Sequence, residues 1–355
     1  MKKLKNSAML VVAVLCGYLA LMTPDWKSDV VAAMNPGYQS DYQGGHIAGW
    51  YWQGVSNGHE TENEVWSLTY PLFSANWGIP NRSYPAVFPA QASWDIVANG
   101  DFSHDNSSDV LYRNKTTGDW KVWQIVNGVR TTQFNITGYD AAHAWAVVGT
   151  GDTDGDGDDD VILYNSSTGH LDIWEAVGGT LTTHHDLGVI TAGYTPVRIG
   201  DFNADGDVDI MIQSGTSLRI WELQANAFVS ERAGTNTGAG YTTICAADFD
   251  GDGDSDVYLQ ETTTQVEKWA EMQNYARVSQ QFGSSNTGFR FHGCADYDGD
   301  GRADVKWQRV SDDQQRIVLM TTNWGVVKQT VYTNIYGGLI STGAGYGFAY
   351  RGSAN

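Results

Sequence analysis

Basic side chains are scarce in this 355-residue chain, with 21 Lys and Arg against 41 Asp and Glu for a net charge of −20. Nothing in it has the clustered Lys/Arg footprint that neutralises phosphates, which excludes nucleic acid as an expected partner and disfavours anionic ligands unless metal ions bridge them. Long apolar runs are absent after Met22, so no internal membrane span is expected. Helical 3.6-residue periodicity is absent there too, leaving an all-β fold. Cysteine is limited to Cys16, Cys245 and Cys294, too few for a disulfide framework, although export would permit one bridge between the last two. Enzyme signatures are missing: there is no G-x-S-x-G, no C-x-x-C and no haem attachment sequence, and His59-Glu60 lacks the second histidine of a zinc-protease helix. The eight histidines show no ligand spacing, and His184-His185 reads as a strand end. No catalytic residue is therefore assigned. What is plentiful is glycine, with 41 residues, and aromatic side chains at 12%, a composition for an ordered rather than a disordered chain.

The first residues read as an export signal. Lys2, Lys3 and Lys5 precede an apolar run from Ala8 to Met22, and Val31-Ala32-Ala33 offers a cleavage site, so residues 1–33 are expected to be removed and the mature chain to begin near Met34. The long, charged stretch from Met22 to Ala33 keeps an uncleaved membrane anchor as the alternative. Leu15 before Cys16 fits a lipoprotein processing site poorly.

Five nine-residue segments recur, beginning at Asp101, Asp152, Asp201, Asp248 and Asp296, with spacings of 51, 49, 47 and 48 residues. Each is preceded by an apolar run such as Trp94-Asp-Ile-Val-Ala. Each is followed by a β-type run, a turn such as Thr117-Gly118 or Thr168-Gly169, and two further runs. Four strands per ~48 residues predict a β-propeller blade, since a parallel solenoid would have shorter coils. The five motif-bearing blades span residues 94–333, and residues 34–89 form a divergent N-terminal segment of the same 34–355 domain. Thr342-Gly-Ala-Gly-Tyr346 copies Thr237-Gly-Ala-Gly-Tyr241, so residues 335–355 are expected to supply a closing strand to that segment. This predicts six blades of four antiparallel strands, with seven as the alternative count.

The motif carries oxygen ligands at the spacing a hard cation wants. Carboxylates at positions 1, 3, 5 and 9 with the position 7 carbonyl would wrap one Ca²⁺, and glycine at position 6 permits the sharp turn. Loop 1 has Asp101, Ser103, Asp105 and Asp109; loop 2 has Asp152, Asp154, Asp156, Asp158 and Asp160; loop 3 has Asp201, Asn203, Asp205, Asp207 and Asp209. Loop 4 has Asp248, Asp250, Asp252, Asp254 and Asp256, and loop 5 has Asp296, Asp298, Asp300, Arg302 and Asp304. About five Ca²⁺ are expected, with loop 1 weakest because of Ser103. Asp-Gly turns need no metal, but the five loops hold 22 of the 41 acidic residues, and such clusters repel unless neutralised. The missing glutamate at position 12 and the strand-like flanks exclude a helix-loop-helix sensor.

The pattern D-F-N/D-x-D-G-x-x-D, followed by a strand, a Thr-Gly turn and a Trp-bearing strand, resembles the FG-GAP or VCBS-type repeat of secreted β-propellers. Integrin α-subunit heads and calcium-containing propeller lectins use related repeats. The resemblance implies calcium-stabilised blades and an extracellular or cell-surface role in recognition or adhesion, with a glycan or a surface protein as partner. Trp123, Trp174, Trp221 and Trp269 fall 14, 14, 12 and 13 residues after their position 9 aspartates and read as one equivalent site per blade. They are expected to pack between blades, or else to form sugar-stacking platforms. A self-assembling filament or surface-layer subunit is the alternative function. A polysaccharide-degrading enzyme is a second alternative, because folding alone could pair two carboxylates.

Overall fold

The computed structural model describes residues 49–56, 59–67, 93–105, 108–126, 129–136, 144–295, 301–311, 315–320 and 327–333. The export signal and the closing strand expected at 335–355 lie outside these residues. Ahead of the repeats, β1 (Gly49–Ser56) and β2 (His59–Ser67) pair antiparallel as a separate two-stranded sheet.

Blade 1 comprises β3 (Trp94–Gly100), β4 (Asp109–Asn114), β5 (Trp120–Val126) and β6 (Val129–Ile136). Blade 2 comprises β7 (Ala146–Gly151), β8 (Asp160–Asn165), β9 (His170–Val177) and β10 (Thr180–Val189). Blade 3 comprises β11 (Thr195–Gly200), β12 (Asp209–Ser214), β13 (Ser217–Gln224) and β14 (Ala227–Asn236). Blade 4 comprises β15 (Tyr241–Ala247), β16 (Asp256–Glu261), β17 (Val266–Gln273) and β18 (Ala276–Ser285). Blade 5 comprises β19 (Phe289–Ala295), β20 (Asp304–Arg309), β21 (Gln315–Met320) and β22 (Val327–Thr333). Each is a four-stranded antiparallel meander in chain order, and the first strands of successive blades lie side by side, as do the fourth strands β10, β14 and β18. The fold is thus an all-β propeller with four-stranded blades.

The blade count corrects the expectation: the described residues form five four-stranded blades, not six or seven. Among the described residues the front segment contributes two strands where a blade needs four, and its sequence lacks the aspartate motif that joins first to second strand elsewhere.

Second and third strands carry apolar residues on both faces, and in blades 2 to 4 each face meets a neighbouring blade. Val110, Leu111 and Tyr112 are consecutive and all fully buried. Leu111, Trp120 and Val122 of blade 1 pack with Val161, Leu163 and Trp174 of blade 2. Ile162 and Ile173 of blade 2 pack with Ile210, Ile212 and Trp221 of blade 3, and Met211 and Ile220 of blade 3 with Val257, Leu259 and Ala270 of blade 4. Each such side chain contributes about 1.5–3 kcal/mol of burial, so the core is a series of blade-to-blade seams. Across the last seam, Tyr258 and Trp269 meet Val305 and Trp307, and Cys245 of β15 is disulfide-bonded to Cys294 of β19, with Cα atoms 6.5 Å apart.

Every first strand carries a register shift at the same point: Ile96/Ala98, Val147/Gly149, Pro196/Arg198, Thr243/Cys245 and Phe291/Gly293. A bulge here adds local twist next to the acidic loop that follows.

Candidate metal centres

Each acidic loop joins the first strand of a blade to the second, and in loops 1 to 4 the aspartates accept amides of their own loop. In loop 2, Asp152 accepts the amides of Asp154 (3.2 Å) and Gly155 (2.7 Å) on Oδ1 and of Gly157 (2.9 Å) on Oδ2. Asp154 Oδ1 accepts the Asp156 amide at 3.2 Å, and Asp156 Oδ1 accepts the Asp158 amide at 2.8 Å. Loop 4 repeats this with Asp248, Asp250 and Asp252, and loop 3 with Asp201, Asn203 and Asp205. In loop 1, Asp101 Oδ1 accepts the Asp105 amide at 3.1 Å. Position 6 is left-handed wherever it is described, with φ of 92° at Gly157, 96° at Gly206, 99° at Gly253 and 85° at Gly301. Position 4 is left-handed too, at Gly155 and Gly251 but also at His104 (φ 50°) and Ala204 (φ 57°), a demand that the sequence did not announce.

The position 9 aspartates open the second strands and are buried. Their Oδ1 atoms accept third-strand amides from Ile125, Ala176, Leu223, Met272 and Met320 at 2.8–2.9 Å. Oδ2 of Asp209 and of Asp256 accepts the position 2 amide at 3.1 Å. Burial pushes Asp160 up to about 7, Asp209 to about 8 and Asp256 to about 9, and Asp109 well above the usual carboxylate range. Position 7 has a side-chain role that the spacing did not predict. Asp158, Asp207 and Asp254 accept turn amides from Gly178, Ala225 and Asn274 of their own blades at 2.8–3.2 Å.

Carboxylate oxygens of Asp152, Asp154 and Asp156 lie within 4.8 Å of one another, as do those of Asp248, Asp250 and Asp256. Burial and the neighbouring carboxylates Asp156 and Asp252 raise Asp154 and Asp250, the latter to about 6. Asp158 Oδ1 and Asp254 Oδ1 are buried without a hydrogen-bond donor. All-oxygen donors, mutual repulsion and orphaned buried oxygens suit a hard divalent cation in loops 2 and 4. Asp201, Asn203, Asp205, Asp207 and Asp209 have the same backbone closure, whereas in loop 1 Ser103 removes a charge. In loop 5, Asp304 takes the position 9 role and Arg302 lies against Gly251 of loop 4; Asp296, Asp298 and Asp300 fall outside the described residues.

The loops are also joined in series. The position 8 amide of each following loop donates to the position 1 carbonyl of the one before: Asp159 to Asp101, Val208 to Asp152, Ser255 to Asp201 and Ala303 to Asp248, at 2.5–2.9 Å. The turn between third and fourth strands adds a second link, with the amides of Gly179, Asn226 and Tyr275 on the position 2 carbonyls of Phe102, Thr153 and Phe202.

The tryptophans do not form platforms. Trp123, Trp174, Trp221 and Trp269 are only 0%, 2%, 4% and 3% exposed, and their rings are covered by Tyr112, His184, Phe228 and Tyr258 at centroid distances of 3.9–4.7 Å. Nor are they equivalent. Trp123, Trp174 and Trp221 pair with the residue after the position 9 aspartate, but in blade 4 Ala270 holds that place, and Trp269 points to the opposite face. His184 and His185 lie within β10 rather than at a strand end, against Asp172 (2.7 Å) and Glu175 (2.9 Å). Glu222 is held below its usual range by Ser230 and Arg232.

An aromatic repeat that the sequence reading missed sits at the opposite end of the blades from the loops. Trp94, Trp145, Tyr194, Tyr241 and Phe289 stand at, or one residue before, the start of the five first strands, each half-buried. Lys121, Arg219, Lys268 and Arg316 lie over Trp94, Tyr194, Tyr241 and Phe289 at 4.1–4.7 Å. The signal was available as one aromatic seven residues before each acidic loop.

Four-stranded blades joined through aspartate loops define a β-propeller of acidic repeats. The chain carries FG-GAP-like repeats, matched at residues 152–212 and 201–259. No curated protein sequence matches the chain. Among solved structures it is similar to an Agrocybe aegerita lectin that recognises non-reducing terminal N-acetylglucosamine, with 14% identity, 82% of this chain and 80% of the lectin covered, and a TM-score of 0.52. It is also similar to part of the Photorhabdus luminescens Tc holotoxin pore, with 13% identity, 84% of this chain but 14% of that one covered, and a TM-score of 0.51. A quinoprotein alcohol dehydrogenase-like protein of Bacteroides thetaiotaomicron matches more loosely, with 11% identity, coverage of 80% and 66%, and a TM-score of 0.42.

Proposed function

We propose that the chain is a secreted, calcium-stabilised propeller for extracellular recognition or adhesion, whose ligand is a glycan or a surface protein. Calcium would occupy the acidic loops, with Asp152, Asp154 and Asp156 and Asp248, Asp250 and Asp256 as its best-assembled oxygens, and would neutralise their mutual repulsion. No chemistry is asked of the metal beyond holding these loops. The observation that carries the recognition reading is the fivefold recurrence of a half-buried aromatic at the blade ends remote from the loops. An aromatic edge or face beside polar groups is what an apolar sugar face needs, and several such sites on one ring multiply weak contacts. The lectin sharing this fold makes terminal N-acetylglucosamine the first probe.

The test is a glycan array with the calcium-loaded protein, followed by Tyr241→Ala and Phe289→Ala. The expected result is glycan binding that each substitution weakens and the pair abolishes, with the melting curve still cooperative. Absence of binding to any glycan sinks the lectin form of the reading and leaves a protein ligand to be sought. Binding untouched by the paired substitution moves the site elsewhere.

One observation favours self-assembly as a second reading. Phe228 and Val229 on β14 and Val278 and Phe282 on β18 are 39–62% exposed on adjacent fourth strands. Light scattering with and without calcium distinguishes a monomer from ordered polymers.

A further inference from the structure

The turn between β13 and β14 places Ala225 and Asn226 at left-handed φ of 49° and 60°, a two-residue hairpin geometry that asparagine tolerates well. This turn belongs to blade 3, yet it rests on loop 2 of blade 2. The Asn226 amide donates to the Thr153 carbonyl at 3.0 Å, and the side chain, only 5% exposed, enters the loop. Its Nδ2 donates to Asp154 Oδ2 at 2.6 Å. That oxygen is on the position 3 carboxylate, whose other oxygen, Oδ1, is already taken by the Asp156 amide. On the far side, the Thr153 hydroxyl contacts both Asn226 Oδ1 and Asp160 Oδ2. Asn226 therefore holds position 3 directly, and position 9 through the Thr153 hydroxyl, in a loop that is not its own.

The hydrogen count at Thr153 sharpens the point. A hydroxyl has one proton and cannot donate to two acceptors at once. When it donates to the Asp160 carboxylate, a half-turn of the Asn226 amide, which leaves its shape unchanged, gives Thr153 an N–H donor and faces the carbonyl oxygen toward Asp154 Oδ2. Two oxygens in contact repel unless a cation lies between them. The same side chain is thus a donor to Asp154 without metal and an acceptor toward metal with it. At the equivalent turn positions, blade 2 has Gly179 against loop 1 and blade 4 has Tyr275 against loop 3, neither of which offers a side-chain amide.

We infer that Asn226 is a cross-blade member of the loop 2 metal site, so that this site is built by two blades and its calcium fastens blade 3 to blade 2. The inference rests on the calcium reading of the loops. Its consequence is that loop 2, alone among loops 1 to 3, gains affinity from the docking of the following blade.

Calcium titration by calorimetry on the whole chain, with melting curves in calcium and in EDTA, tests this with Asn226→Gly, which keeps the left-handed turn, and Asn226→Asp, which keeps an oxygen. Asn226→Gly is expected to weaken one class of site about tenfold, the scale of losing a residue that orients metal ligands, and to shrink the calcium-dependent shift in melting temperature. Asn226→Asp is expected to bind as tightly as wild type or more tightly. In an Asp154→Ala background, which disables loop 2, Asn226→Gly should leave the remaining sites unchanged. A wild-type protein that binds no calcium overturns both the calcium reading and the inference. Calcium binding by wild type with an unchanged titration for Asn226→Gly, or an Asp variant as weak as the Gly variant, overturns the inference alone.

Discussion

The loops ask more of individual residues than their acidic spelling suggests. Position 6 was legible as glycine and is left-handed at Gly157, Gly206, Gly253 and Gly301, but position 4 needs the same conformation and in two loops is not glycine. Ala204 sits at φ 57° with its methyl close to Gly253 of the next loop. A left-handed alanine costs about 1–2 kcal/mol, offset in part by the extra unfolded-state freedom of glycine, so Ala204→Gly should stabilise the protein by about 0.5–1 kcal/mol in denaturant titration. An equal or lower stability would show that the methyl contact outweighs the backbone strain. The tryptophans illustrate why counting along a sequence can misplace a side chain. Trp221 falls two residues short of the spacing in blades 1 and 2, an even difference that keeps its face, whereas Trp269 is one residue off and changes face. Trp174→Ala, at a ring 2% exposed between blades 1 and 2, should cost about 3–5 kcal/mol by thermal or chemical melting. A loss below ~1 kcal/mol would mean that this seam is not close-packed.

At the level of elements, the sequence disclosed the blade because each strand boundary has a local cause. The 47–51-residue period, the aspartate loops and the turns at Gly118 and Gly169 are punctuation that the chain writes explicitly, and Asn114 and Asn165 close the latter turns by accepting amides two and three residues on. The bulge in each first strand was not legible, since the residues skipped in the ladder, Val97, Val148, Val197, Ile244 and His292, are mostly ordinary strand formers that signal no break in pairing. The front segment misled for a related reason: strand-like composition in Trp50-Tyr51-Trp52 gives β1 and β2, but composition does not say how many partners a hairpin finds. The cysteines pair two elements that the sequence left open. The Cys245–Cys294 bridge spans 49 residues between the first strands of blades 4 and 5. Loop-closure entropy for that span sets an upper contribution of about 4 kcal/mol, and typical bridges contribute 2–4. Reduction under native conditions should therefore lower the denaturation midpoint without abolishing the calcium response of loop 2, which lies two blades away. A reduced protein that still melts at the oxidised temperature would show that the burial of Tyr258, Trp269 and Trp307 holds this seam unaided.

Across the five blades, the acidic loops and the blade seams form one system, because the position 1 carbonyls of loops 1 to 4 and the position 2 carbonyls of loops 1 to 3 hold the next blade. Without metal, the loop aspartates resist ionisation: half-buried Asp250 is raised to about 6, and buried Asp160 to about 7, Asp209 to about 8 and Asp256 to about 9, against roughly 3.9 in an unfolded chain. Raised carboxyl pKa values mean that the folded protein binds more protons than the unfolded one between those limits. Stability from these groups is therefore full below about pH 4 and is lost as pH rises through 6 to 9. Calcium favours the ionised form and should oppose that loss. With a dissociation constant of ~0.1 mM, 2 mM calcium would stabilise the fold by about 1.8 kcal/mol per occupied site, and linkage makes the gain larger where the carboxyls are ionised. In EDTA the melting temperature should fall between pH 5 and pH 8. In calcium the fall should be smaller or reversed, so that the gap between the two conditions widens with pH. The experiment is a set of melting curves at pH 5, 6.5 and 8 in EDTA and in 2 mM calcium. A gap that stays constant or narrows as pH rises would mean that the cation does not sit among these carboxylates, and would leave the loops as turns held by their own backbone hydrogen bonds.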